Sequence, residues 1–148
     1  EVKVITEHDI EAFSEETHAE THMGPSEMVR EFATAMGQPL DNYYDTSAPL
    51  WDLRRGLIAE EFKEFIDSFD DIVSDGHNPA HTIKELADLI YVSYGYAVTY
   101  GWDLDEAIRR VHNSNMSKLD DNGQPIKRLD GKVIKGPNYK PPHMDDLA

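Results

Sequence analysis

Two short stretches of the sequence combine carboxylates with apolar residues in a pattern that suggests metal chemistry. "LIAEEFKEF" contains three glutamates, and "KELADLIYV" contains one glutamate and one aspartate. In each stretch two acids stand three residues apart, Glu61 with Glu64 and Glu85 with Asp88. At about 100° per residue, Glu61 and Glu64 fall inside the apolar arc of their helix.

Carboxylates on a buried helix face need a positive partner. Glu60 lies just outside the apolar arc and has Lys63 three residues on, whereas Glu61 and Glu64 have no base three or four residues away. Taking an unpaired carboxylate from water costs several kcal/mol, against a domain stability of roughly 5–15 kcal/mol. We therefore expect a cation from elsewhere to bind these acids.

Two helices that each carry such a pair could face one another and form an all-oxygen site. Hard oxygen ligands on a rigid scaffold suit Mg²⁺ or Mn²⁺. A di-iron bundle would instead carry Glu-x-x-His, and neither Glu61 nor Glu85 has a histidine three residues on. Alternatively, the acids form a solvated face or pair with internal bases such as Arg54 and Lys84.

The pattern predicts four helices that would position these acids. The first has Ser26 as N-cap, an apolar stripe and Gly37 as its stop. The second runs from about Asp52 to Ser74. The third follows "DGHNP", with Asn78 as cap and Pro79 at the first helical position, and runs to Gly101. It is apolar nearly all the way round, so it should be central. An Asp103-x-x-Glu106 capping box begins a fourth helix that reaches roughly Asn113.

Charge and turn signals divide the rest of the chain. We expect an acidic N-terminal arm over residues 1–25, a helical catalytic domain over 26–118, and a basic hairpin and tail over 119–148. The hairpin prediction rests on two short strand-like runs around Asp130-Gly131. A chain of 148 residues is long enough for one hydrophobic core.

The overall composition excludes several classes of function. The chain has 29 acidic and 14 basic residues and a formal charge of -15, which argues against binding nucleic-acid polymers or anionic membranes. No apolar run approaches the ~18 residues of a membrane span. The absence of cysteine excludes disulfides and thiolate metal sites. We expect a cytoplasmic protein, in the host cytoplasm if a phage encodes it.

The two acidic stretches, with Glu85 following Glu64 by 21 residues, resemble the E-x-x-E…E-x-x-D signature of the MazG-like all-α nucleotide pyrophosphohydrolases. "VHNSNMSKL" and "DGKVIKGPNYKPP" resemble the short, often phage-encoded members of that family. The likeness covers about residues 26–142.

The resemblance implies a fold and a reaction. The fold is a MazG-like four-helix bundle assembled across a homodimer, often paired further into a tetramer, with a C-terminal hairpin and tail. The reaction is Mg²⁺-dependent cleavage of a nucleoside triphosphate, or (d)NTP, between the α and β phosphates, with Mn²⁺ as a possible substitute. The implied metal ligands are Glu61, Glu64, Glu85 and Asp88. Glu60 would hold or deprotonate the attacking water, so Glu60 and Glu61 are the candidate catalytic residues.

Basic and amide side chains near this site are candidate substrate ligands. They are Arg54, Asn113, Asn115, Lys118, Lys135 and Tyr139. The last three match the family's tail motif, and the tail could close over the nucleotide as a lid. Helix capping, solubility and surface salt bridges are the alternative roles of these side chains. Trp51, Tyr43 and Tyr44 could stack on a base or pack in the core.

Several functions stay open on the sequence alone. The favoured substrate is a (d)NTP of the free nucleotide pool. The alternatives are an alarmone such as ppGpp, phosphoribosyl-ATP, and a non-catalytic role as a nucleotide-binding helical dimer.

Overall fold

The computed structural model describes residues 22–43, 45, 47–74 and 79–147, with backbone only for 71–74. The part of the chain so described contains four α-helices and no β-strand: α1 (Pro25–Ala35), α2 (Ala48–Ser74), α3 (Ala80–Tyr100) and α4 (Leu104–Met116). The predicted all-α fold is therefore confirmed. Residues 1–21, most of the expected acidic arm, lie outside the described residues.

Helices α2 and α3 form an antiparallel pair. Near the end of α2, the Ser68 hydroxyl donates to Thr82 Oγ1 at the start of α3, at 3.1 Å. Near the start of α2, the Trp51 ring stacks on Tyr100 at the end of α3, with 4.8 Å between ring centroids. This pairing places the acidic middle of α2 beside the acidic first half of α3.

Helix α1 packs on α3 through a small apolar core. Val29 of α1 contacts a buried cluster that includes Tyr94 and Val98 of α3. Phe32 meets Tyr91 edge to face, with ring centroids 5.8 Å apart. Such aromatic pairs contribute about 0.5–1.5 kcal/mol beyond their buried area.

Helix α3 is central only over its second half. Its buried residues are Glu85, Tyr94, Gly95, Ala97, Val98, Thr99 and Tyr100. In the first half, Ile83 is 62% and Ile90 49% exposed. The expectation of a fully central helix was wrong there, because no other described element covers that face.

Glycine is required where α3 ends. Gly101 has φ +72°, a conformation that costs other residues energy, so the helix stops as predicted. A Cβ at this position would also lie 2.4 Å from the Tyr43 ring.

Only half of the predicted capping box forms at the start of α4. The Asp103 carboxylate accepts a hydrogen bond from the Glu106 backbone N–H at 2.9 Å. The Glu106 carboxylate instead accepts from Arg110 Nε at 2.8 Å, because a guanidinium on the same helix face is a stronger partner. The helix continues to Met116, beyond the predicted end near Asn113.

The start of α1 corrects the predicted cap. The N-cap is Gly24 rather than Ser26, and Pro25 is the first helical residue. Proline suits that position because the backbone N–H that it lacks would have no hydrogen-bond partner in the first turn of a helix. The Glu27 carboxylate accepts a hydrogen bond from the Gly24 N–H at 2.8 Å, which stabilises the earlier start.

The other helix starts differ from the prediction by a few residues. Helix α2 begins at Ala48 rather than at Asp52. Helix α3 begins at Ala80, so Pro79 is its N-cap and not its first helical residue. Asn78, the predicted cap, lies outside the described residues.

The chain after α4 reverses where the hairpin was predicted. Lys127 and Val133 form one isolated antiparallel bridge, and the Ile134 N–H donates to the Ile126 carbonyl at 2.9 Å. Gly131, in the turn, has φ +84°. A single bridge is too short to count as a strand pair, so this segment is a turn rather than a sheet.

The end of the tail is fastened to α4. Arg110 donates to both carboxylate oxygens of Asp146, at 2.6 and 2.8 Å, and to the His143 carbonyl at 2.9 Å. The Lys140 N–H donates to the Ser117 hydroxyl at 2.8 Å.

No described helix is long and apolar enough to cross a membrane.

Candidate metal and nucleotide site

Three of the four predicted metal ligands converge between α2 and α3. Carboxylate oxygens of Glu61, Glu64 and Glu85 all lie within 4.8 Å of one another. Mg²⁺ binds oxygens at about 2.0–2.1 Å, so oxygens on opposite sides of one ion stand roughly 4 Å apart. Small side-chain rotations would bring the three groups into one coordination shell, and the donor set is the one that this ion prefers.

The three carboxylates of this cluster differ in burial: Glu64 is exposed, Glu61 is partly buried and Glu85 is buried. Glu85 is only 3% exposed. Glu61 Oε2 is buried and has no hydrogen-bond partner in the part of the chain that the structure describes. Burial, and then the charge of Glu64, raise the pKa of Glu61. Like charges about 4 Å apart repel by about 1 kcal/mol in water and by about 4 kcal/mol in the medium near a protein surface.

The fourth predicted ligand, Asp88, is held by a lysine on its own helix. Lys84 Nζ lies 2.8 Å from Asp88 Oδ2, and 3.1 and 3.2 Å from the two oxygens of Glu85. These hydrogen bonds raise the pKa of Lys84. His81 Nε2 also lies 2.7 Å from Glu85 Oε1. The alternative that internal bases pair with the acids therefore holds for Asp88 and, in part, for Glu85.

Glu60, the candidate for positioning water, is exposed on α2. It is outside the group formed by Glu61, Glu64 and Glu85. Its neighbour Lys63 pairs with Asp67 rather than with Glu60. Glu60 is thus an exposed side chain next to the cluster residue Glu61 in the sequence.

A cavity of about 310 Å³ adjoins the cluster, and the buried guanidinium of Arg54 is part of its lining. Its lining residues are Val29, Phe32, Gln38, Arg54, Leu57, Glu61, Asp88, Tyr91, Val92 and Gly95. Arg54 is only 6% exposed, and its one described hydrogen bond is a 3.3 Å contact from Nη2 to Gln38 Oε1. Its Nε has no hydrogen-bond partner among the described residues, and burial lowers the pKa of the guanidinium.

The unpaired atoms of Arg54 and Glu61 suggest what this cavity accepts. Both residues line the cavity, and each has a buried polar atom with no hydrogen-bond partner in the described structure. Leaving such atoms unpaired costs about 1–3 kcal/mol each. A ligand that presents phosphate oxygens to Arg54, with a cation at Glu61, would satisfy both.

The aromatic residues before α2 have mixed roles. Trp51 packs against Tyr96, Tyr100 and Trp102, with ring centroids 4.8–6.1 Å apart. This is the packing role that was one of the two alternatives for Trp51. Tyr43 lies against Gly101, and Tyr44 is outside the described residues.

The remaining predicted substrate ligands lie on α4 and the tail. Lys118 Nζ donates to Asn115 Oδ1 at 2.7 Å. Lys135 Nζ lies 4.3 Å from the centre of the Tyr139 ring, a cation–π contact. Asn113 lines a second cavity, of about 470 Å³, between α4 and the tail. In the described structure, no hydrogen bond or ion pair joins these five residues to the acidic cluster.

Comparison with known proteins assigns the chain to a family. A sequence model of the phosphoribosyl-ATP pyrophosphohydrolase family matches residues 29–115. The chain belongs to this family. Phosphoribosyl-ATP pyrophosphohydrolases are hydrolases that act on phosphoric anhydrides, which supports the broader expectation of an all-α nucleotide pyrophosphohydrolase. No curated protein gives a significant match to the chain.

The matched segment contains only part of the predicted site. It includes Glu60, the four predicted metal ligands, Arg54, Asn113 and Asn115. It ends before Lys118, Lys135 and Tyr139. The likeness of the tail to short MazG-like proteins stays a prediction.

Sequence reasoning missed several side chains of the site. Gln38 follows the end of α1 and carried no signal. The contact of Lys84 with Glu85 was also missed, because adjacent residues on a helix do not normally face each other. The pairing of His81 with Glu85 could have been found, since the two stand four residues apart on α3.

Proposed function

We propose that this protein is a Mg²⁺-dependent nucleotide pyrophosphohydrolase that cleaves a nucleoside triphosphate to the monophosphate and pyrophosphate. The observation that carries the proposal is the convergence of Glu61, Glu64 and Glu85 beside a cavity that contains the buried guanidinium of Arg54. The membership of the phosphoribosyl-ATP pyrophosphohydrolase family supports the reaction class.

The acidic residues divide into two roles. The ion would be held by Glu61, Glu64 and Glu85. Asp88 would join them once Lys84 no longer contacts it. A bound Mg²⁺ neutralises phosphate oxygens and lowers the pKa of coordinated water. Glu60, exposed beside the cluster, would orient the attacking water and accept its proton. Water adds to the α phosphorus, the bond between that phosphorus and the α–β bridging oxygen breaks, and pyrophosphate leaves with the bridging oxygen.

The cavity beside the cluster would hold the nucleotide. The Arg54 guanidinium would donate to phosphate oxygens, since its Nε is buried and unpaired. Phe32 and Tyr91 present aromatic surface to the base or sugar, and Gln38 offers an amide. A strongly acidic protein needs these cations to hold a triphosphate, because its net charge repels the substrate.

The proposed substrate is a (d)NTP, because the acidic stretches and the tail resemble those of MazG-like enzymes; phosphoribosyl-ATP is the second candidate. The description of the family favours the second, because it names that compound. Both candidates present a triphosphate to the same residues and lose pyrophosphate. The alarmone ppGpp and a purely binding role are the further alternatives.

The first experiment is a substrate panel. Ribonucleoside and deoxyribonucleoside triphosphates, phosphoribosyl-ATP and ppGpp are incubated with the protein and Mg²⁺, with an EDTA control, and the products are separated by ion-exchange chromatography. We expect monophosphate and pyrophosphate from one or two triphosphates, and none with EDTA. Absence of turnover on every compound by the folded, metal-loaded protein would favour the binding role.

Substitution of the acids tests the proposed site. Glu61→Gln and Asp88→Asn should each lower Mg²⁺-dependent turnover by at least about 10²-fold, since each removes a ligand charge. The helical circular dichroism spectrum should not change. Glu31→Gln, an exposed glutamate of α1 outside the site, is the matched control. Full activity in both site variants would contradict the mechanism.

A further inference from the structure

The ammonium group of Lys84 contacts Asp88, its i,i+4 neighbour on α3, and also Glu85, the adjacent residue, which a helical lysine does not normally face. The side chain is 60% exposed, so it could extend into solvent. Instead Nζ contacts Asp88 Oδ2 at 2.8 Å and both oxygens of Glu85 at 3.1 and 3.2 Å. Lys84 and Glu85 are adjacent on α3, and adjacent side chains point about 100° apart. The lysine therefore bends toward the negative charge of the cluster.

This position conflicts with a divalent ion. The three oxygens that Lys84 contacts belong to two of the four proposed ligands. An oxygen that accepts a hydrogen bond from an ammonium group has fewer lone pairs to offer a metal, and the two cations repel each other at such distances. Loading the ion requires Lys84 to give up at least some of these contacts.

We propose that Lys84 is a built-in counter-ion: in the metal-free protein it holds Glu85 and Asp88 together, and a divalent ion displaces it on binding. Lys84 is thus a positioning residue, not a catalytic one. The proposal rests on the metal site of the proposed function. It gives the protein a means to keep a crowded acidic cluster assembled between metal-binding events, at the expense of metal affinity.

The test compares Lys84→Met with Lys63→Met. Both remove one positive charge from a helix, and methionine and lysine have similar helix propensities. Lys63 stands next to the ligand Glu64, but its ammonium binds Asp67 rather than the cluster. The protein is stripped with EDTA, and Mn²⁺ binding is followed by the electron paramagnetic resonance of free Mn²⁺. Thermal unfolding is recorded without metal.

We expect opposite effects on stability and affinity. Without metal, Lys84→Met should melt about 2–4 °C below the wild type, because the cluster loses its counter-ion. Its dissociation constant for Mn²⁺ should fall roughly tenfold, because the competing cation is gone. Lys63→Met should change that constant less than about twofold. Lys84→Arg, which keeps the charge, should return the affinity towards that of the wild type.

Glu85→Gln separates this inference from the proposed function. If Glu85→Gln weakens Mn²⁺ binding but Lys84→Met matches Lys63→Met, the role of Lys84 is overturned and the metal site stands. If Glu85→Gln does not weaken Mn²⁺ binding, both are overturned. Should Lys84→Met be unfolded without metal, refolding on addition of Mn²⁺ supports the inference, and failure to refold at saturating Mn²⁺ overturns it.

Discussion

At the scale of single residues, the site is distinguished by buried polar atoms that have no hydrogen-bond partner among the described residues. Arg54 Nε and Glu61 Oε2 are both buried, and both residues line one cavity. A buried guanidinium usually binds a carboxylate in bidentate fashion, but the described partner of Arg54 is the neutral amide of Gln38. A residue that costs stability in this way is better explained by ligand binding than by folding.

Arg54→Met should separate function from stability. The substitution removes a desolvated cation and keeps a side chain of similar length, so thermal stability should be unchanged or higher. The value of kcat/KM should fall about 10–100-fold, as expected for the loss of a hydrogen bond to a charged phosphate. Steady-state kinetics and a melting curve provide both measurements.

The adjacent arginine provides the control for this substitution. Arg55 is exposed and lies 3.7 Å from Asp52, so Arg55→Met should change neither activity nor stability measurably. Wild-type kcat/KM in Arg54→Met, or a large loss of stability, would show that Arg54 is a structural residue.

At the scale of elements, the antiparallel pairing of α2 and α3 brings together the predicted metal ligands Glu61, Glu64 and Glu85, whereas the tail packs against α4. The tail is fastened to α4 by Arg110 and Ser117. A Cβ at Gly136 would lie 2.6 Å from the Lys118 carbonyl. The tail motif around Gly136 therefore packs tightly against the chain just after α4. The motif thus has a structural role apart from any contact with substrate.

At acid pH the ion pair between Arg110 and Asp146 should weaken, and the tail should detach from α4. The paired Arg110 guanidinium lowers the pKa of Asp146 from 3.8 to about 2. A carboxylate with a depressed folded-state pKa stabilises the docked tail above about pH 4, and this contribution is lost as the pH falls towards 2. Asp146→Asn should mimic the effect at neutral pH by increasing amide hydrogen exchange over residues 140–147.

Asp145→Asn is the matched control for the tail. The Asp145 side chain is 95% exposed, and its described contact is a 3.9 Å approach to His143. Exchange over the tail should match the wild type in this variant. Equal protection in Asp146→Asn and the wild type would show that the Arg110 contact does not hold the tail.

At the scale of the whole molecule, the main feature is apolar surface that no described part of the chain covers. A groove of about 420 Å³ between α1 and α3 is lined almost entirely by apolar side chains, among them Met28, Ile83, Leu86 and Ile90. Helix α2 adds Phe62, Ile66 and Phe69, each about half exposed. Patches of this extent on one chain usually mark an interaction site.

We propose that a second copy of the chain covers this surface, as the resemblance to dimeric pyrophosphohydrolases implies. Sedimentation equilibrium at micromolar concentration should give at least twice the 16.8 kDa chain mass. The double substitution of Ile83 and Ile90 by Glu should shift the protein towards the monomer. Leu129→Glu, at an exposed leucine of the tail turn, should not. A monomeric wild type would contradict this assembly.

Local signals in the sequence were sufficient to predict the four described helices and which carboxylates share a helix face. Apolar residues with helical spacing predicted α2 and α3, and Gly101 marked the end of α3 because a positive φ favours glycine. The spacing of Glu61 with Glu64 and of Glu85 with Asp88 identified carboxylates on shared helix faces. The cap of α1 was mispredicted because Pro25 competes with Ser26 for the first turn.

What the sequence alone determined is therefore which residues share a helix and which of its faces they occupy, since helical periodicity is a local property. Only the tertiary structure decided which faces meet. The antiparallel pairing of α2 and α3 brings Glu85 to Glu61 and Glu64. The segment after α1 places Gln38 beside Arg54, and the charge of the assembled cluster draws Lys84 to its sequence neighbour Glu85. These contacts depend on long-range packing and on the summed charge of the cluster, and neither can be read from the spacing along one helix.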